Sequence, residues 1–115
     1  MLVVDDDAPI RLFETAVLKD AGYAVSQARD GAAAIAEIGK TNPHLVVLDI
    51  RMPGIDGWGV LEHIAQMPSP PRVVIVSGVS DLDAPKHLAT HIGNTLAKPF
   101  AAPDLLKVCA QVLAA

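Results

Sequence analysis

Leu2-Val3-Val4-Asp5-Asp6-Asp7 and, further on, Leu45-Val46-Val47-Leu48-Asp49 decide how this chain reads: each is a short aliphatic run that ends abruptly in acid. Continuous apolar runs of this length fit strands covered on both faces. Further runs lie at residues 23–28, 73–76 and, weakly, 95–97. Between them are stretches of helical length. Ile10, Phe13 and Val17 fall at i, i+3, i+7, as do Leu105, Val108 and Val112, which predicts an apolar face at those positions. Strands alternating with helices imply βαβ units and a mostly parallel sheet.

The punctuation agrees. Asp7 can cap a first helix that has Pro9 in its first turn, and Asp30 can cap a second. Gly39 and Pro43 are expected to stop the second helix. Gly54, Gly57 and Gly59 mark a tight turn before a third, around residues 58–66, which Met67-Pro68-Ser69-Pro70-Pro71 ends. Asp83 and Pro85 look like the start of a fourth, and Asp56 is a turn or helix-start residue. The first, third and fourth strands are apolar throughout. The second carries Ser26 and Gln27 and the fifth is short, so those two belong at the edges. The order 2-1-3-4-5 with right-handed crossovers satisfies this. It predicts a flavodoxin-like, doubly wound α/β domain over residues 1–115, with five parallel strands and five helices. Ligands in such a sheet bind beyond the carboxyl ends of the strands, where the order reverses.

Composition narrows the function classes. The 115 residues make one domain's length, and 51% are hydrophobic but only 3% aromatic, so the core must be aliphatic. One cysteine cannot form an internal disulfide, which fits a reducing cytoplasm. No apolar run approaches the roughly 20 residues needed to span a bilayer, so no membrane role is expected. Nine basic against thirteen acidic residues argue against direct binding of nucleic acid. The first strand starts at residue 1 without a lead-in, which suggests a piece of a longer protein whose output module lies elsewhere.

The strand ends hold the chemistry. Strand one ends in Asp5 and Asp6, strand three in Asp49, strand four in Ser77-Gly78 and strand five in Lys98-Pro99. The topology brings these together. Three crowded carboxylates repel one another and raise their own pKa values, and a hard divalent cation such as Mg²⁺ relieves that repulsion. Cation, ammonium and hydroxyl together suit a phosphoryl group. A preformed nucleotide or flavin phosphate is excluded, because the loop after strand one carries three negative charges where such sites need glycines. Other features read as structure. Asp7 is a cap, Cys109 a core residue and Trp58 a packing or surface residue near the site, while His87 and His91 lie on an exposed helix face.

These motifs resemble those of response regulator receiver domains: Leu2 to Asp7, Leu45 to Gly57 with its Asp49-Ile50-Arg51-Met52-Pro53-Gly54 core, Val76-Ser77-Gly78 and Lys98-Pro99-Phe100. The resemblance runs in order along essentially the whole chain. It implies that Asp49 accepts a phosphoryl group from a phosphohistidine on a sensor histidine kinase or histidine phosphotransfer protein. It implies Mg²⁺ held by Asp5, Asp6, Asp49 and the carbonyl of Arg51, with Ser77 and Lys98 on the phosphoryl oxygens. It also allows a homodimer of the phosphorylated form. Thr95 stands where the family usually has an aromatic switch residue, and the span from Ser77 to Lys98 is about one residue short of the family habit. Arg51 and Val79 flank the approach of hydrolytic water and are expected to slow dephosphorylation. Two rivals follow: a pseudo-receiver docking module, and an aspartate-nucleophile phosphatase, for which the Asp-x-Asp-x-Thr start is missing.

Overall fold

The computed structural model describes residues 1–78 and 84–115, in which five parallel strands form one sheet of order 2-1-3-4-5. The elements are β1 (Leu2–Val4), α1 (Ala8–Asp20), β2 (Ser26–Ala28), α2 (Gly31–Thr41), β3 (Leu45–Asp49), α3 (Gly57–Ala65), β4 (Arg72–Ser77), a 3-10 helix (Lys86–His91), β5 (Asn94–Ala97) and α4 (Ala102–Ala114). Alternate side chains of the central strands face opposite ways. Leu2, Val4, Val46, Leu48, Val73 and Ile75 pack with Ala34 and Ile38 of α2, Val60, Leu61 and Ile64 of α3, and Leu88. Val3, Val47, Val74 and Val76 pack with Leu18 of α1 and with Leu105, Val108, Cys109 and Val112 of α4. Every one of these residues is at least nine-tenths buried, which explains why the central strands show no polar alternation.

The helix starts follow the acids. Asp7 Oδ1 accepts from the Ile10 N–H at 3.2 Å, Asp30 Oδ1 from Ala33 at 2.8 Å and Asp56 Oδ1 from Gly59 at 2.9 Å. Each such cap contributes about 1 kcal/mol. At α4 the arrangement is reversed: Asp104 Oδ2, inside the first turn, accepts from the Ala101 N–H at 3.0 Å.

Four local expectations need correction. Gly39 does not stop α2; the helix continues to Thr41, and Asn42 ends it in the left-handed region with φ 51°. The second strand is confined to Ser26–Ala28, because the Tyr23 N–H still turns back to the Leu18 carbonyl behind α1. Among the described residues the fourth helix is a 3-10 segment, Lys86–His91. Pro85 precedes it without a side-chain cap, and Leu88 is the one buried side chain that anchors it. Asp83, expected to start that helix, lies outside the described residues. Finally, the inward face of α1 is Glu14, Thr15 and Leu18, so Phe13 is 44% exposed rather than in the core.

One close approach fixes the end of β3. The Gly57 N–H donates to the Ile50 carbonyl at 2.9 Å, and a Cβ on Gly57 would strike the Asp49 carbonyl oxygen and lie 2.6 Å from Ile50 Cα. Only glycine lets α3 press on the strand end that carries Asp49. Gly57→Ala is therefore expected to destabilise the domain by about 1–3 kcal/mol in urea unfolding. Gly39→Ala, where a Cβ meets nothing within 4 Å, should instead be stabilising by about 0.5–1 kcal/mol.

Candidate functional site

The register delivers the acids to one place. Val4 pairs with Leu48 and Ser77 with Ala97, so Asp5 and Asp49 leave adjacent strands at the same level, and Lys98 follows one residue beyond Ala97. The Lys98 N–H donates to the Ser77 carbonyl at 2.8 Å, which ties the end of β5 to that of β4. The Lys98–Pro99 peptide that follows is cis.

Asp5, Asp6 and Asp49 each offer a carboxylate oxygen, and these oxygens all lie within 4.8 Å of one another. Asp5 and Asp49 are buried while Asp6 is exposed. Lys98 Nζ donates to Asp5 Oδ2 at 3.1 Å and lies 3.4 Å from Asp49 Oδ1. Asp5 is further fixed by its neighbours: the Asp7 N–H donates to its Oδ1 at 2.9 Å, and Arg11 Nη1 donates to its main-chain carbonyl at 2.9 Å. The same Arg11 donates through Nε to Gln27 Oε1 at 3.1 Å, which locks β1 to β2 beside the site. These acids open into a pocket of about 390 Å³ with Ile10, Arg51, Gly78 and Lys98 on its walls.

Burial and like charge set the electrostatics. The Asp49 carboxyl is pushed up to about 6, first by burial and then by the Asp5 charge, against the attraction of Lys98. For Lys98, burial favours the neutral amine. The hydrogen bond to Asp5 and the charges of Asp49 and Asp5 outweigh it and hold the ammonium above its ordinary value. The carboxylates therefore keep Lys98 charged. Hard oxygen donors, two of them buried and one open to solvent, suit a divalent cation that retains water.

The other expected site residues divide. Ser77 is buried at the end of β4, and its hydroxyl donates to the Gly78 carbonyl at 3.2 Å. Arg51 is exposed on the pocket wall. Thr95 is exposed within β5, paired with Ile75, and its N–H bonds the Asn94 side chain at 2.8 Å. It is not part of the pocket. Val79 lies outside the described residues. His87 is on an exposed face as expected, yet Glu62 of α3 reaches it, with Nε2 and Oε2 2.8 Å apart. Cys109 is buried core, its thiol pushed up to about 12 by burial. Trp58 packs against the α2–α3 side of the core.

Sequence reasoning passed over Glu14. It is 1% exposed, and its carboxyl is pushed up to about 8 by burial and by Asp5, against Lys98. An acid at the helical spacing of Leu18 was the available signal, and the wrong choice of inward face hid it.

A doubly wound sheet whose central strand ends gather three carboxylates and a lysine defines an aspartate-based phosphoryl switch. The comparisons with known proteins agree. The family model described as "Response regulator receiver domain" matches residues 1–110, and the chain belongs to that family. The receiver domain of NtrX from Brucella abortus superposes with a TM-score of 0.88 at 32% identity, covering 98% of this chain and 97% of that one. A putative response regulator from Chloroflexus aurantiacus gives 0.88 at 30% identity over 99% and 96%. Sporulation initiation phosphotransferase F of Bacillus subtilis is 35% identical over 83 residues, 72% of this chain and 67% of its own length. The probable transcriptional regulator ycf27 of Porphyridium aerugineum is 34% identical over 106 residues, and this chain spans 44% of its length. The chain is thus a phosphoaccepting signalling domain that promotes its own phosphorylation and dephosphorylation. Among the described residues no helix is long and apolar enough to cross a membrane.

Without divalent cations, the Asp49 carboxyl should titrate near pH 6 when followed by NMR. Lys98→Ala should move that midpoint up, since the ammonium favours the carboxylate, and Asp5→Asn should move it down.

Proposed function

We propose that Asp49 is the phosphoacceptor and that Asp5, Asp6, Asp49 and the Arg51 carbonyl hold Mg²⁺. The observation that carries this is the convergence of three carboxylate oxygens within 4.8 Å on a pocket where Lys98 contacts two of the acids. Mg²⁺ bound there supplies the positive charge that lets acids and phosphoryl oxygens share one pocket.

The protein's own groups do the rest. Asp49 presents a carboxylate oxygen, ionised above pH about 6, to the phosphorus of a phosphohistidine. A new O–P bond forms as the N–P bond breaks, and the imidazole leaves with the electron pair. Because the transition state is loose, positioning and charge neutralisation dominate. Lys98 stays charged and turns from Asp49 to the phosphoryl oxygens. Ser77 rotates its hydroxyl from the Gly78 carbonyl to the same group. The added roughly −1.5 to −2 charge then favours one of two arrangements of the 3-10 helix and β5. With Thr95 exposed in place of an aromatic residue, the signal leaves through Ser77, Gly78 and the 3-10 helix.

The partner is a sensor histidine kinase or a histidine phosphotransfer protein, met in the cytoplasm. A second copy of the phosphorylated domain is a further partner. An apolar hollow of about 400 Å³, lined by Ile10, Phe13, Pro99 and Phe100, adjoins Lys98. Phe13 and Phe100 meet there with ring centres 6.2 Å apart and planes tilted by 44°, and Leu12, next to Phe13 in the chain, is 56% exposed. A helix bearing the phosphohistidine, seated on this hollow, brings its imidazole to the pocket mouth.

Incubation with Mg²⁺ and acetyl phosphate should add one phosphoryl mass to the intact protein and none to Asp49→Ala; an equal adduct on both would overturn the assignment. Lys98→Ala should slow uptake by about 100-fold, the loss expected for one preorganised charged donor. Phe13→Ala should leave the acetyl phosphate reaction unchanged while slowing transfer from a phosphorylated histidine phosphotransfer protein by about tenfold or more.

A further inference from the structure

A side chain of α1 holds the acid turn that follows β1. Along a parallel pair, each strand in turn gives N–H groups to its partner's carbonyls. The Ser26 N–H donates to the Met1 carbonyl at 2.9 Å, and further along the Asp5 N–H donates to the Ala28 carbonyl at 3.2 Å. The next bond in that alternation would run from the Asp30 N–H to the Asp5 carbonyl. β2 ends at Ala28, however, and Asp30 has turned away to cap α2. Arg11 Nη1 takes its place and donates to the Asp5 carbonyl at 2.9 Å. Asp5 is wholly buried, so bulk water cannot supply that donor.

The guanidinium has a second hold. Its Nε donates to Gln27 Oε1 at 3.1 Å, so one rigid plane spans the end of β1 and a side chain of β2. The carbonyl it grips belongs to the planar peptide that joins Asp5 to Asp6. Those are two of the three acids whose carboxylate oxygens lie within 4.8 Å of one another. Fixing that peptide fixes the Asp5 ψ and Asp6 φ angles, and with them the direction in which each acid leaves the turn. The Asp5 carboxylate is steadied within the same turn by the Asp7 N–H, at 2.9 Å.

Building on the reading that Asp5, Asp6 and Asp49 hold Mg²⁺, we propose that Arg11 is a positioning residue of the cation site, which clamps the Asp5–Asp6 peptide so that both carboxylates converge with Asp49 before a cation arrives. Without the guanidinium that peptide is free to turn, since the donor the ladder would have offered is engaged at the start of α2. The cation must then order the acids itself, and its affinity falls although every ligand is still present. The role belongs to the two directed bonds rather than to the positive charge.

Wild type, Arg11→Gln, Arg11→Lys, Gln27→Ala and Val108→Ala are compared in two ways. Mg²⁺ affinity is measured by calorimetric titration, and amide hydrogen exchange is followed by NMR without metal. Arg11→Gln should bind Mg²⁺ about tenfold or more weakly, the loss usual when a group that orients a metal ligand is removed. Without metal, its Asp5 N–H should exchange about tenfold faster while the Val47 N–H of β3 is little changed. Arg11→Lys keeps the charge but not the planar pair of donors, and should still lose about threefold or more in affinity. Val108→Ala, a core truncation on α4, should speed the Val47 N–H and leave Mg²⁺ affinity within about twofold of wild type. Three results overturn the proposal: wild-type affinity in Arg11→Gln, full recovery in Arg11→Lys, or an equal loss in Val108→Ala. If Arg11→Gln does not fold, Gln27→Ala decides, because Gln27 is exposed and its loss removes only the outer hold. A drop of about threefold there supports the clamp, and unchanged affinity overturns it. If wild type binds no Mg²⁺, the reading of the acids as a cation site fails and the metal-free exchange alone decides Arg11. Faster exchange at Asp5 without a change at Val47 then supports the clamp, and equal rates at Asp5 overturn it.

Discussion

The contact of Lys98 with Asp5 at 3.1 Å and with Asp49 at 3.4 Å is the interaction on which the rest of the domain depends. Two buried carboxylates at the separation seen here repel by roughly 3–4 kcal/mol at an effective dielectric of about 20. One ammonium offsets that repulsion but leaves the pocket net negative, since Asp6 adds a third carboxylate. The remaining imbalance makes the pocket receptive to a divalent cation and, through it, to a phosphoryl group. Without Lys98 the Asp49 carboxyl would be pushed further up and less of it would be ionised at neutral pH.

The fold makes this crowding tolerable by spending its apolar sequence elsewhere. Both faces of the sheet are sealed by aliphatic layers, and the central strands β1 and β3 meet acid only at their carboxyl ends. Parallel pairing aligns all those ends on one edge, and the reversal of strand order between β1 and β3 opens the space for the pocket. Gly57 presses α3 against the end of β3, and Arg11 ties β1 to β2, so the acids stand on rigid supports from two sides.

Much of the site was legible because its residues sit at the ends of recognisable strands. Asp5, Asp6, Asp49 and Lys98 follow aliphatic runs, and the strand order needs only the polarity of the second strand and the brevity of the fifth. Asp7, Asp30 and Asp56 were legible as caps for a similar reason, since capping is settled within a few residues. The failures have a common physical origin. Gly39 reads as a stop, yet a helix can run through it at a cost of about 1 kcal/mol when tertiary packing holds the rest. Ile10, Phe13 and Val17 match helical periodicity, and Val17 does pack, partly buried, against the core, but α1 buries Glu14, Thr15 and Leu18, and Phe13 finds Phe100 on the surface instead.

By itself, the sequence determined the class of fold and the charges of the site, because strand burial and capping are local and acid after an apolar run is visible as such. Tertiary structure alone decided that Ser77 points its hydroxyl at Gly78, that Thr95 stands apart from the pocket and that Glu62 meets His87. It also decided that Glu14 lies buried on the inward face of α1 rather than on its surface. A helix's rotation about its own axis is set by what packs against it from distant parts of the chain. On α1 that rotation turned an apparently ordinary surface glutamate into a buried acid facing the sheet.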